Sequence, residues 1–589
     1  MAVMKNTAGA ETGKGALRTR WGEAATSACP LDNHPRPQFR RPDWLCLNGH
    51  WSYDVLPDGE RPKQYSGSIL VPYSPEASLS GAARGPKAGE TAWYARSFTL
   101  PQGFLKDRLL LHFGAVDQWC EVFVNGRSAG VHQGGYLPFT LDITPQTDPA
   151  GENRLTVSVR DQTEAGADSY GKQSTSPGGI WYTAQSGIWQ TVWLESVPEN
   201  CIDSIRITPD PARETVLLEI PGGAGTDYAV LAGGKLVVSG AFGPDGRAEV
   251  SLPGCVRWTP EKPFLYDLLL KRGGDLVRSY FAMRSVAVKN GQFLLNGQPI
   301  VLSGLLDQGY WPEGLYTPPS DEAMVYDIET ARSLGFNLLR KHVKVEPLRW
   351  YYHCDRLGML VWQDFPNGGE PYSKLWTAVL PTLGVHISDK SYRRLGRGYE
   401  RGRKQFEREA AGIVSLLYNS PSVVCWSVFN EGWGQFDALR QADSVRALDP
   451  TRPIDHASGW HDQGGGDFCS RHIYFRRVSL KPDKRAQAIT ECGGYSLRVF
   501  GHAGDRVFGY RRYASSAALT EAIEKLYREQ LIPLKEQGLC AVIYTQLSDV
   551  EEELNGLLTW DRKVLKVDAA RMLALNDALK APTQTERSE

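Results

Sequence analysis

Two glutamates stand where an apolar run gives way to a loop. Val423-Val424-Cys425-Trp426-Ser427-Val428-Phe429 ends in Asn430-Glu431-Gly432, and Ala486-Gln487-Ala488-Ile489-Thr490 ends in Glu491-Cys492-Gly493-Gly494. Paired carboxylates across one pocket are what cleavage of a glycosidic bond needs: one protonates the leaving oxygen, and the other attacks or activates water. Either carboxylate alone is ordinary at a strand end. The pair, beside Asn430 and Gly493-Gly494, points to chemistry. No His-rich ligand set supports metal-dependent hydrolysis, and no two of the ten cysteines have C-x-x-C spacing. We therefore expect neither a metal nor a cofactor.

The carboxylates meet only if the fold brings distant strand ends together. From about residue 288, strands alternate with helices. Strands are expected at 300–306, 336–340, 359–363, 423–428, 454–457, 472–475, 486–490 and 541–545. Helices are expected at 321–334, capped by Ser320 and ended by Gly335, and from Pro347 to Gly358. Further helical patterns lie at 403–418, 436–447, 517–536 and 564–579. Eight strands with helices between most of them predict a (β/α)8 TIM barrel, whose active site lies at the C-terminal strand ends. Residues 367–402 form a long connection after the third barrel strand, a length usually tied to function.

The residues before the barrel read as β structure. Cys120-Glu121-Val122-Phe123-Val124 alternates and is followed by Asn125-Gly126, a hairpin signal because both turn residues need positive φ. Short runs punctuated by Gly and Pro predict a β jelly roll over 36–198, after an N-terminal tail at 1–35. A second set of short strands predicts an immunoglobulin-like β-sandwich over 199–287, leaving 288–589 for the barrel. The 589 residues fit a multidomain chain of this kind.

With 66 Lys+Arg against 67 Asp+Glu, no basic excess points to nucleic acid or an anionic membrane surface. No apolar run is long enough to span a bilayer, and residues 1–15 lack the apolar core of a secretory signal. Free thiols and a cytoplasmic location are the expectation.

In order along the chain, the sequence carries Leu47-Asn48-Gly49-His50-Trp51, Val71-Pro72-Tyr73-Ser74-Pro75-Glu76, Trp93-Tyr94-Ala95-Arg96, Gly134-Gly135-Tyr136, Ser186-Gly187-Ile188-Trp189-Gln190 and Leu295-Asn296-Gly297-Gln298-Pro299. With Asn430-Glu431 and Thr490-Glu491, this ordered set resembles glycoside hydrolase family 2, the group of β-galactosidases, β-glucuronidases and β-mannosidases. The resemblance implies a jelly roll, an immunoglobulin-like domain and a barrel. It also implies retention of anomeric configuration, a carbohydrate or glycoside substrate, and frequent assembly into homo-oligomers.

Residue by residue, it implies Glu431 as acid/base, Glu491 as nucleophile, Asn430 as a contact to the sugar 2-hydroxyl, Tyr474 as a hydrogen-bond donor to the nucleophile and Arg340 as its neighbour. Asp307, Gln308, His342, Trp460 and Gln546 are further candidates for substrate binding at strand ends, with Lys344 as a substitute for His342. Trp181 and Tyr182 are expected near the pocket edge. Asp364, ending strand three, fits either a structural hydrogen bond or a site role. Cys492 is expected only to pack.

The departures bear on substrate. The family's glucuronidases bind the uronate carboxylate with an Asn-x-Lys pair after strand eight, and here the stretch reads Asn555-Gly556-Leu557. The strand-eight Trp is replaced by Thr545. The expectation is a retaining exo-β-glycosidase for a terminal, neutral sugar of β-galactosidase type. A β-glucuronide, β-mannoside or α-L-arabinoside is the alternative sugar, and a catalytically silent carbohydrate-binding protein the alternative function.

Overall fold

The computed structural model describes residues 17–582 except 26, 83 and 505. The reading of residues 1–15 as lacking a secretory signal therefore lies outside the described residues. The first layer pair is an antiparallel sandwich. Its four-stranded sheet runs Trp44–Cys46, Val192–Val197, Arg108–Phe113, Phe139–Asp142, and its six-stranded sheet runs Gly67–Val71, Gly49–Pro57, Glu90–Phe98, Asn153–Arg160, Trp119–Val124, Arg127–Gln133. Inward residues of both sheets, among them Trp51, Tyr94, Leu111 and Val157, form one core. The expected hairpin turns at Asn125 and Gly126, with φ of 52° and 76°.

A second antiparallel sandwich follows, three strands (Arg206–Asp210, Thr215–Glu219, Arg247–Ser251) against four (Lys235–Ala241, Asp227–Ala232, Tyr266–Arg272, Asp275–Phe281). It is tied to the barrel by Arg284, whose guanidinium donates to the carbonyls of Pro421 and Val423 at 2.9 Å each. The described part of the expected tail is not loose. Thr19 N donates to Glu313 at 3.1 Å, and the short helix Arg20–Glu23 follows against the barrel side.

The barrel strands are Leu302–Asp307, Leu338–Lys341, Leu360–Asp364, Val423–Ser427, Ile454–Asp455, Phe468–Ile473, Ala486–Gly493 and Leu539–Thr545. They form one parallel sheet in the spatial order five, four, three, two, one, eight, seven, six. Strand five is only two residues long, and no ladder joins it to strand six. Side chains bridge that seam instead: Ser470 Oγ donates to Asp455 at 2.8 Å.

Helix Asp321–Ser333 is capped by Ser320 Oγ, and Gly335 follows it at φ +85°. Pro347 lies one position earlier than expected, at the N-cap of Leu348–Leu357. Two helix expectations were too long. The α-helix expected over 517–536 ends at Leu526 and continues as wider and tighter turns to Gln537, where Pro533 supplies no N–H. The last helix begins at Ala569, not 564, because Asp568 caps it and Val564 N is taken by Thr559 Oγ1. The 367–402 connection contains short helical turns at Leu375–Val379, Leu380–Thr382 and Tyr392–Leu395.

The N-terminal sandwich does more than flank the barrel. Tyr136, Tyr182 and Trp189 belong to the same apolar cluster as Tyr310, Tyr316 and the barrel helices. None of the ten cysteines forms a disulfide. Among the described residues no helix is long and apolar enough to cross a membrane.

Candidate active site

Glu431 sits on the turn after strand four, in the left-handed region at φ +51°. A non-glycine residue there costs on the order of 1–3 kcal/mol and persists only where the surroundings enforce it. Here Glu431 N donates to Ser458 O at 3.0 Å, and the next residue is Gly432 at φ +72°, where a Cβ would come within 2.4 Å of the His461 ring. Glu491 lies within strand seven, at a bulge. The ladder to strand eight skips from Ile489 to Cys492, and the ladder to strand six skips Thr490. Such a bulge re-aims side chains beside a site. A carboxylate oxygen of Glu431, one of Glu491 and a ring nitrogen of His472 all lie within 4.8 Å of one another.

Arg340, fully buried on strand two, organises the floor. Its Nε donates to Asp364 at 3.0 Å, Nη1 to Glu491 and the Thr490 carbonyl at 3.0 Å each, and Nη2 to Asn430 Oδ1 at 2.8 Å. Tyr474 OH donates to the other oxygen of Glu491 and stands 3.0 Å from Thr545 Oγ1. Thr545 thus occupies a position next to the Tyr474–Glu491 pair.

His472 is a site residue that sequence reading missed; it entered there only as the first position of the expected strand 472–475. Its Nδ1 lies 2.8 Å from Glu431 and 3.5 Å from Glu491. Its Nε2 lies 3.4 Å from Arg340 Nη1 and 3.1 Å from Ser458 Oγ. Arg340 has only protons to offer, so Nε2 accepts and Nδ1–H donates to Glu431.

These neighbours drive the two carboxyls apart. Burial and the charge of Glu491 raise the Glu431 pKa, and His472 and Lys172 oppose that rise without cancelling it. Burial also acts to raise Glu491, but His472, Arg340, His342 and the Tyr474 hydroxyl hold it well below the usual carboxylate range. Glu431 therefore holds its proton to higher pH than Glu491 does, the order an acid and a nucleophile require.

The other expected residues fall in two groups. Asn430 is buried; its Oδ1 accepts from Arg340, and its Nδ2 has no partner. Gln308 Nε2 donates to Gln546 Oε1 at 2.7 Å, leaving Gln546 Nε2 unpartnered. Trp460 is half-buried, its ring 6.4 Å from that of His472. His342 donates from Nδ1 to Asp364 at 2.9 Å; burial lowers its pKa to about 4, so its ring is neutral near pH 7.

Asp307 and Lys344, in contrast, are spent on the protein. Asp307 accepts from Lys341 Nζ at 2.6 Å and from Gly309 N at 2.9 Å. Lys344 Nζ donates to the carbonyls of Gly309 and Tyr316 and pairs with Glu346 at 2.9 Å. Asp307 is thus tied at the end of strand one and Lys344 in the loop after strand two, rather than left available to a ligand. Cys492 is buried in packing, its Sγ 3.6 Å from the Ile543 carbonyl.

The N-terminal sandwich closes one side. Trp181 packs against Trp433, two residues beyond Glu431, at 5.0 Å between rings, and Tyr372 of the 367–402 connection stacks on Trp433 at 6.4 Å. Tyr182 OH donates to Glu553, which also accepts from Asn555 Nδ2 at 2.9 Å. Lys172, from the same sandwich segment and absent from the sequence expectations, lies over the rings of Tyr182 and Trp433 at 5.4 and 5.9 Å.

Comparison with known proteins bears on this geometry. Residues 75–198 match the family model described as "Glycosyl hydrolases family 2, sugar binding domain", and residues 286–483 match "Glycosyl hydrolases family 2, TIM barrel domain". A β-galactosidase of Aeromonas hydrophila subsp. hydrophila is 28% identical over 473 residues, covering 73% of this chain and 43% of the relative. A β-glucuronidase of Felis catus is 26% identical over 418 residues, 62% of this chain and 58% of the relative. The chain thus spans about half the length of these curated relatives. Among solved structures, a β-D-glucuronidase of Dictyoglomus thermophilum superposes with a TM-score of 0.72 at 18% identity, covering 93% of this chain and 99% of the other. A β-galacturonidase from Eisenbergiella tayi gives 0.67 at 18% identity, with 93% and 99% covered. At that identity the structural likeness speaks to the fold.

Proposed function

The chain belongs to glycoside hydrolase family 2, and from that premise we propose that it is a retaining exo-β-glycosidase working by double displacement through Glu491 and Glu431. The observation that carries the reading is the close carboxyl pair with opposed proton affinities. Retaining enzymes hold their two carboxyl groups about 5–5.5 Å apart.

Glu491, ionised, attacks the anomeric carbon. As the glycosidic bond breaks, Glu431 gives its proton to the leaving oxygen, and the aglycone departs as an alcohol. The sugar remains as an ester of Glu491. Esterification removes the negative charge that raised the Glu431 pKa, so Glu431, now a carboxylate, takes a proton from water. The water oxygen attacks the anomeric carbon from the face the aglycone left, the ester bond breaks, and Glu491 returns to its ionised form. His472 donates to Glu431 throughout, and Arg340 and Tyr474 take back the charge that reappears on Glu491. The unpartnered Asn430 Nδ2 and Gln546 Nε2 are donors fit for sugar hydroxyls.

A panel of nitrophenyl β-glycosides and α-L-arabinosides tests the reading, with Glu491→Gln as the blank. Turnover of one glycone, lost in the variant, is the expected result. Equal rates in wild type and variant would overturn it.

A further inference from the structure

The sandwich segment that touches the barrel mouth carries a cation with nothing to hold. Gly171 passes the barrel at φ +57°, where a Cβ would come within 2.7 Å of Tyr316 Oη and 2.8 Å of the Val343 carbonyl, so only glycine brings the chain this close. The N–H groups of Tyr170 and Gly171 donate to the Asn367 carbonyl at 3.0 and 3.2 Å. The next residue is Lys172, 5% exposed.

Among the described residues its ammonium makes no hydrogen bond and no ion pair; it lies over the rings of Tyr182 and Trp433 alone. Glu553, joined to Tyr182, accepts from Tyr182 and Asn555 and does not pair with it. Three other buried lysines of the barrel differ in this respect. Lys341 holds Asp307 and Glu346, Lys344 holds Glu346, and Lys566 holds Asp549, all within 2.9 Å. A buried charge is costly unless paired. The positive charge of Lys172 is felt at both Glu431 and His342, groups of strands four and two that flank the space above Glu491.

We propose that Lys172 binds the carboxylate of an acidic glycone, so that the substrate is a β-linked hexuronic acid and its charge is read from the sandwich domain, not from the loop after strand eight. This rests on the glycosidase reading above. A single ammonium backed by two rings suits one planar carboxylate, which it meets through a charge-assisted hydrogen bond. A neutral sugar would leave the cation buried with hydroxyl dipoles only. The neutral glycone expected from the missing strand-eight lysine is replaced here by a cation that a different domain supplies.

The test compares nitrophenyl β-D-glucuronide and β-D-galacturonide with the matching glucoside and galactoside, in the full chain and in Lys172→Met and Lys172→Arg, with unfolding temperatures confirming that the variants fold. Wild type should favour one uronide over its neutral partner. Lys172→Met should lower kcat/KM for that uronide about 100-fold while moving the neutral glycoside by less than about 3-fold, and Lys172→Arg should recover part of the loss. Equal losses on both substrates, or a wild type that prefers the neutral glycoside, would overturn the proposal while leaving the glycosidase reading intact. Sensitivity appearing only with a carboxyphenyl aglycone would overturn the glycone assignment. If wild type cleaves no glycoside at all, the glycosidase reading fails. Calorimetric binding of free glucuronate and galacturonate against glucose and galactose then decides the role of Lys172: binding of an acid that is lost in Lys172→Met supports it, and no difference overturns it.

Discussion

At the junction of the two sandwiches, Arg41 holds Glu195 at 2.7 Å and Asp275 at 2.8 Å, and Arg36 takes the other oxygen of Glu195 at 2.6 Å. At the barrel mouth, Arg340 holds Asp364 and Glu491 at 3.0 Å each. Both clusters place a buried guanidinium between two carboxylates, and both depress a carboxyl despite its burial: Glu195 at the junction, Glu491 at the mouth. They differ in what is left over. At the junction every oxygen of Glu195 and Asp275 has a donor, with Trp193 Nε1 and Ile202 N completing the set. At the mouth, Asn430 Nδ2, Gln546 Nε2 and the Lys172 ammonium have no hydrogen-bonding partner among the described residues. The junction has orphan nitrogens too, Arg36 Nε and Nε2 of His34 and His112, but they surround carboxylates whose oxygens are already filled; on the proposed function, those of the mouth serve a ligand.

Substitutions sharpen or break that contrast. The largest effect belongs to Glu491→Gln, which should cut turnover on the order of 10⁴-fold or more, since it removes the group that forms the intermediate; formate or azide should restore part of the rate. Glu431→Ala should cost about 10²–10⁴-fold on substrates with poor leaving groups and much less on activated aryl glycosides, seen in a plot of rate against leaving-group pKa.

Next come the guanidinium groups. Arg41→Met should cost about 3–5 kcal/mol of stability with kcat unchanged, because it strands buried carboxylates outside the chemistry. Denaturant unfolding should find that loss at neutral pH and see it shrink in acid. Glu195 is held well below the ordinary carboxylate range, so its contribution is present above the unfolded pKa and fades as pH falls through the folded one. Arg340→Gln should lower stability and activity together, and move the acid limb of kcat/KM to higher pH as Glu491 loses a cation.

His472→Asn has a smaller effect, read in the pH profile rather than the maximum. Both carboxyls lose a neighbour that lowers their pKa, so both limbs should move to higher pH; an unmoved profile would remove His472 from the tuning of the pair. Trp460→Ala, at the half-buried edge, should change KM by only a few fold.

The strand ends that carry Glu431, Glu491 and Arg340 could be read from the chain because apolar runs and following loops are local patterns; strand six, expected at 472–475, instead runs Phe468–Ile473 and stops before Tyr474. So could the Asn125-Gly126 hairpin, whose geometry depends on two residues. What was not readable arises between elements. Asp307 and Lys344 have the right position at or after a strand end and the right chemistry, but Lys341 of the next strand and Glu346 of the same loop satisfy them, and such pairing leaves no mark on spacing. His472 lies between the carboxyls because it is the ladder partner of Glu491 on the neighbouring strand seven and reaches Glu431 after strand four, a relation no single segment carries. Lys172 is still further from view: its place depends on a sandwich loop docking on a barrel that begins more than a hundred residues later.

The central claim is the division of labour between the two glutamates, and azide rescue of each variant tests it most directly. An activated aryl glycoside of the preferred glycone is turned over by Glu431→Ala and by Glu491→Ala in azide, and the anomer of each glycosyl azide is read by NMR. With Glu491 as nucleophile, azide replaces water in the Glu431 variant and yields the β-azide. In the Glu491 variant azide attacks the vacant face and yields the α-azide. The reverse pairing of variant and anomer, or the same anomer from both, would contradict the account.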